Sequence, residues 1–234
     1  MNKTIYAGLL AASLAAAPAA NATQFSVEIT NLSNAIYFTP FLVAAHPAGN
    51  NLFSVGQPAS ANLQAMAEGG DTSGLLADVN GLGATVVDNP AGGLLAPTAS
   101  TSFDMNTDGT SNDRLSLVAM LLPTNDAFAG LNAIEIPTTP GTYVFDVPAY
   151  DAGTEANDEL VTGGGAPGAA GIPADPGGLT GTGGTGAAAT DTNMTVHIHR
   201  GSLGDTDNAA GVSDLDSRVH RWLNPVVRVT ITVQ

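Results

Sequence analysis

Two short acidic stretches hold the residues best suited to chemistry. Thr124 to Gly130 reads TNDAFAG and Tyr150 to Glu155 reads YDAGTE; each follows a strand-like run and places carboxylates in a turn. In the second, Asp151 and Glu155 flank Gly153, whose backbone freedom lets the chain turn tightly and bring both carboxylates toward one point. Hard divalent cations such as calcium take several oxygen ligands from carboxylates, backbone carbonyls and water, and converging loops supply them. Asp126, Asp151 and Glu155 therefore read either as ligands of one calcium ion or as ordinary turn residues.

Three further groups invite a metal reading. In Asp104 to Asp113, DMNTDGTSND, the oxygens of Asp104, Asn106 and Asp108 alternate before Gly109, as at the start of a calcium loop. The twelfth position is Leu115 rather than a bidentate Glu, so the alternative is a polar hairpin loop rich in Asx turns. His197 and His199 lie two apart on a strand-like run, which turns both rings to one side, and His220 in VHRW is a third candidate zinc ligand. The pair reads equally as part of a polar sheet face. Gly201 to Ser217 carries Asp205, Asp207, Asp214 and Asp216, a calcium loop or a solvated one. Arg221 and Trp222 form either a surface contact or, for Trp222, a core anchor beside the last strand. No G-x-S-x-G, phosphate loop or H-E-x-x-H pattern occurs, and the sequence reads as a binding module rather than an enzyme.

The run LSLVAMLLPTNDAFAGLN (Leu115 to Asn132), followed by PGTYVFDVPAYDAGTEAND (Pro140 to Asp158), resembles the spondin domain of secreted animal and bacterial proteins. The likeness is strongest in the Asp-aromatic-small-Gly segment around Asp126 and the Asp-Ala-Gly-Thr-acidic segment at Asp151, and it extends from Gln24 to about Asp158. It implies a β-sandwich in which Asp126, Asp151 and Glu155 bind calcium, and a role in adhesion or matrix contact. Two residues depart from the animal pattern: Ala127 stands in place of Trp, and Glu155 in place of Asp, which adds a methylene and loosens the site.

Strands must position these loops. Gln24 to Leu32 alternates Phe25, Val27 and Ile29 with polar neighbours, so those three share the buried face of one strand. Ile36 to Ala45 is almost continuously apolar, with Pro40 marking an edge or a bulge. Leu115 to Leu122 reads as a central strand, followed by Ala133 to Ile136, Thr142 to Val147, Thr195 to His199 and a closing strand, Val226 to Val233. Ala59 to Glu68 suits one short helix that starts near Ser60 and stops at Gly69-Gly70. Between Val161 and Thr190 nearly every residue is Gly, Ala, Thr or Pro, which predicts a flexible insertion within the fold.

The first 22 residues read as a leader: Lys3, a short apolar core from Ile5 to Ala17, and Ala20-Asn21-Ala22 ahead of cleavage before Thr23, with cleavage after Ala19 as the alternative. No run reaches the roughly 18 apolar residues of a membrane span. Without the leader, five arginines face 21 acidic residues, a formal charge of −16. Such a surface repels nucleic acid and anionic lipid and suits an exported cation-binding protein. There are no cysteines, so no disulfide framework supports the fold, unlike the cysteine-containing animal spondin domains. The expectation is a secreted, all-β antiparallel sandwich with long loops and at most two short helices, residues 23–234 forming one domain that binds calcium. Its partner would be an extracellular protein or glycan. The alternatives are a self-associating structural protein of a biofilm or surface layer, and a His-dependent metallohydrolase.

Overall fold

The alternation of Phe25, Val27 and Ile29 puts all three into the centre of a sandwich, and the strand that carries them, β1 (Gln24–Asn31), organises one of its two sheets. A computed structural model describes residues 23–188, 190 and 193–234; the expected leader lies outside them. The other strands are β2 (Tyr37–Phe38), β3 (Leu42–Pro47), β4 (Thr85–Asp88), β5 (Ser100–Asn106), β6 (Asn112–Leu122), β7 (Ala127–Glu135), β8 (Gly141–Val147), β9 (Ala149–Asp151), β10 (His197–Ile198) and β11 (Val227–Val233). The smaller sheet runs β5-β1-β11-β8. The larger runs β10-β9-β7-β6-β3-β4, with β2 also beside β6, and every strand pairing is antiparallel.

Pairing within the smaller sheet keeps like faces together. Val27 sits opposite Ile231 on β11 and opposite Phe103 on β5, and the inward side chains of these strands join one core with Val43, Leu117, Ala119, Leu121 and Ala129 from the larger sheet.

The continuously apolar runs have a different cause. Leu42, Val43, Ala44 and Ala45 are all fully buried because β3 is covered on both faces. Val43 and Ala45 face the smaller sheet, while Leu42 and Ala44 face two helices, α1 (Ala61–Gly69) and α2 (Ser73–Gly81). On β6, Leu115, Leu117 and Leu121 face the sandwich, while Val118, Met120 and Leu122 face the helices. A strand buried on both sides loses the polar half of its alternation.

Helix α1 follows its signals: the Ser60 side chain accepts the Leu63 N–H at 3.1 Å, and Gly70 ends the helix in the left-handed region at φ 72°. Helix α2 has no comparable signals. Its sequence SGLLADVNG contains two glycines, Asn and Val, and its Thr72 side chain makes no capping bond to the helix, so packing rather than propensity sustains it. Strand β7 begins at Ala127, not at Ala133 as its sequence suggests, and the acidic turn before it is correspondingly short. Ala127, Ala129 and Gly130 carry little strand propensity, but they are buried between layers where only small side chains fit. Ile36 to Ala45 divides at Pro40 into β2 and β3, and the strand expected at Thr195 to His199 narrows to two residues.

The described residues of the Gly/Ala-rich insertion form neither helix nor strand, yet they are tied to the sandwich. Ile172 is buried, its N–H reaches the Leu160 carbonyl at 2.7 Å, and buried Glu68 on α1 accepts the Gly168 N–H at 2.6 Å.

Candidate functional site

Antiparallel pairing of β7 with β9 brings the two acidic turns together. Ala127 lies opposite Asp151, so Asp126, just before β7, meets the residues just after β9; the Ala152 N–H donates to the Asp126 carbonyl at 3.2 Å. The Asp126 side chain is fully buried. Its Oδ2 accepts the Thr154 N–H at 2.9 Å, the Thr154 hydroxyl at 3.2 Å and the Glu155 N–H at 3.2 Å. Its Oδ1 is buried with no hydrogen-bond partner.

Asp151 closes β9. Oδ1 accepts the Gly153 N–H at 2.8 Å, an Asx turn, and Oδ2 accepts the Asn157 side-chain amide at 2.7 Å. Gly153 is required for two reasons. Its φ is +68°, and a Cβ there would stand 2.6 Å from Thr195 N and 2.8 Å from the Asn193 carbonyl oxygen, backbone atoms that cannot yield. Glu155 turns one oxygen, Oε1, to the Asn125 side-chain amide at 2.9 Å and to the Gly171 N–H; Oε2 is buried without a hydrogen-bond partner.

The electrostatics follow from this crowding. Burial, then the charge of Asp151, pushes the Asp126 carboxyl up from 3.8 to about 7, against the two backbone N–H groups that favour its ionised form. Burial also raises Glu155, and the nearby acids Glu68 and Asp158 add to the effect. Among the described residues, neither Asp126 nor Glu155 forms an ion pair with Lys, Arg or His. As the side chains stand, no three Asp, Glu or His groups among the described residues gather tightly enough to ligate one metal ion. Two buried carboxylate oxygens, Asp126 Oδ1 and Glu155 Oε2, are left without a hydrogen-bond partner.

Several residues that organise the site are not evident from the sequence. Asn125 donates to Glu155 and, at 2.8 Å, to Asp158, while its oxygen accepts the Glu159 N–H at 3.1 Å. Glu159, held at φ +58°, accepts Leu203 N–H at 2.6 Å, Gly204 N–H at 2.8 Å and the Ser213 hydroxyl at 2.6 Å. It thereby pins the C-terminal acidic loop beside the site. The amide and acid residues adjoining the two motifs, in TND and EANDE, are the available signal.

The remaining candidates are placed differently. Asp104 lies within β5 opposite Ser26, and Asn106 Oδ1 accepts the Asp108 N–H at 2.8 Å in an Asx turn; the segment is not the hairpin loop expected, because β5 and β6 belong to different sheets and it crosses between them. In the C-terminal loop, the Asp205, Asp214 and Asp216 carboxylates accept backbone N–H groups, and Asp216 also pairs with Arg218 at 2.6 Å. The histidines do not meet as a trio. His197 and His199 do share a side: their Nε2 atoms stand 3.7 and 3.9 Å from Asp151 Oδ2. His199 Nδ1 accepts the Gly201 N–H, which leaves Nε2–H to donate to Asn157 Oδ1 at 3.1 Å. His220 instead accepts the Asp216 N–H at 3.1 Å, and burial holds it below the usual imidazole range. Trp222 is a core residue, tilted over the His199 ring at 5.1 Å.

The structure is a two-sheet antiparallel sandwich in which the acidic turns before β7 and after β9 converge. The chain belongs to the Spondin_N family, whose model matches residues 21–160, more than half of its length and all of Asp126, Asp151 and Glu155. Spondin_N domains are non-enzymatic modules. No curated protein matches the chain. No helix among the described residues is long and apolar enough to cross a membrane.

Proposed function

We propose that this protein is an exported calcium-binding module, acting in adhesion or in contact with extracellular matrix or cell surfaces. Asp126, Asp151 and Glu155 hold the ion. The observation that carries this reading is the pair of buried carboxylate oxygens, Asp126 Oδ1 and Glu155 Oε2, with no hydrogen-bond partner, beside an Asp151 charge that Asp126 already feels. Burying such oxygens costs free energy unless a partner arrives, and a divalent cation both satisfies them and removes the repulsion among the acids. Bound calcium would supply positive charge and fix the two turns to each other. Glu155, one methylene longer than Asp, has the reach to bring its second oxygen to the ion.

Thermal unfolding of the purified protein, with calcium and with chelator, tests the proposal. A ligand confined to the folded state stabilises by roughly 2.7 kcal/mol at a hundred times its dissociation constant. Calcium is expected to raise the unfolding temperature of the native chain and to leave Asp151→Ala unmoved. An equal rise in both proteins would place calcium elsewhere, and no rise in either would refute calcium binding.

A further inference from the structure

Outside the acidic site, a cavity of about 290 Å³ lies between the loop after β3, helix α1 and helix α2. None of its lining residues belongs to the carboxylate group described above. Buried Phe53, Leu63, Leu75 and Val79 underlie it, and exposed Pro58 and Leu82 give it an accessible apolar surface. Its rim is polar and lacks Lys and Arg: Asn51, Gln57 and Asp78 stand there. The side chains of Asn51 and Gln57 are exposed and make no hydrogen bond among the described residues, while Asp78 commits only Oδ2, to Asn62 at 2.7 Å.

The loop is held in place before any ligand arrives. Asn132 on β7 accepts the Leu52 N–H at 3.1 Å and donates to the Phe53 carbonyl at 2.7 Å. Farther along, the Gly56 N–H reaches the Val196 carbonyl at 2.8 Å, and the Val196 N–H reaches the Gln57 carbonyl at 2.8 Å. The Phe53 ring is set edge-on to Phe128, with centroids 5.1 Å apart, and lies over Gly130, where a Cβ would stand 2.6 Å from it. Such anchoring removes much of the ordering cost of binding.

The chemistry selects among ligands. An anion would meet Asp78 and a chain of formal charge −15, with no Lys or Arg in the lining to receive it and His46 there buried. A wholly apolar ligand would strip water from the rim amides without replacing their bonds. A sugar ring has an apolar C–H face and a belt of hydroxyls that donate and accept, which suits an apolar base beneath neutral amides and one carboxylate. The size also fits, since small-molecule sites begin at about 300 Å³. We infer that this cavity binds one neutral sugar residue of a glycan, its apolar face on Pro58 and Leu82 and its hydroxyls on Asn51, Gln57 and Asp78.

The inference does not rest on calcium, so it is tested with chelator present. The ¹⁵N-labelled protein is titrated with the methyl glycosides of glucose, galactose, mannose and N-acetylglucosamine, with choline and glucuronate as charged controls. Saturable shifts in the amide signals of residues 50–58 and 73–82 are expected with at least one neutral glycoside. The double variant Asn51→Ala, Gln57→Ala changes only exposed side chains and should weaken binding at least tenfold while retaining the native spectrum elsewhere; Gln24→Ala, on β1, should bind as the native chain does. No response to any neutral glycoside, unchanged affinity in the double variant, or a response confined to choline or glucuronate would overturn the inference.

Discussion

Asp126 concentrates the electrostatic tension of this protein in one carboxyl group. Its folded-state pKa of about 7 stands above the ordinary value of 3.8. Between these values the folded chain keeps a proton that the unfolded chain has lost, so stability falls as pH rises. Its contribution is full below about pH 4 and is lost as the pH rises through 7. In chelator, the native protein should therefore lose stability between about pH 4 and 7 relative to Asp126→Asn, as followed by urea unfolding midpoints; parallel curves would contradict the burial of an ionising acid here. Calcium competes with the same proton, so its stabilising effect should grow across that window. Asn125 bridges Glu155, Asp158 and Glu159. Asn125→Ala leaves the Glu159 N–H without a partner, while Glu155 and Asp158 keep the Gly171 and Leu160 N–H groups, and should cost on the order of 1–3 kcal/mol in denaturant unfolding.

At the scale of elements, legibility followed the number of buried faces. Strands β1 and β11 each have one buried face, and their alternating residues revealed both the strand and its orientation. Strands β3 and β6 are covered on both sides, so their sequences showed strands but not the helical layer above them. Helix α2 and the start of β7 were hidden because glycine, alanine and asparagine stand where packing, not propensity, determines conformation. The acidic turns were legible as a pair of motifs. Their junction through Ala127 and Asp151 depends on a pairing between strands distant in sequence, and the neighbouring amides that complete the network carry no spacing rule. Gly130 illustrates the tertiary constraint: a Cβ would approach the Phe53 ring at 2.6 Å within an aromatic cluster that includes Phe128 and Tyr150. Gly130→Ala should destabilise by about 1–3 kcal/mol, the usual cost of overpacking, and Gly130→Ala with Phe53→Leu should recover part of it. Unchanged unfolding midpoints would show that the layer is loosely packed.

For the whole molecule, a formal charge of −15, the absence of cysteine and membership of the Spondin_N family describe a module stabilised by two apolar layers rather than by covalent bridges. Its surface disfavours nucleic acid and leaves cations as the natural counter-ligands. The proposed export rests on the first 22 residues. Expression of the 234-residue chain in a bacterium with a secretion pathway should yield protein outside the cytoplasm with Thr23 at its N-terminus; intact Met1 on cytoplasmic protein would refute the leader. The calcium proposal and the sugar-site inference separate here, because one concerns the turns between β7 and β9 and the other the cavity beneath α1 and α2.

The most direct test of the central claim is a crystal structure of the protein grown with calcium. One ion is expected, with oxygens of Asp126, Asp151 and Glu155 at calcium–oxygen distances of about 2.3–2.6 Å, and with Asp126 Oδ1 and Glu155 Oε2 no longer without partners. Calcium bound only at other residues, or no ion at saturating concentration, would contradict it.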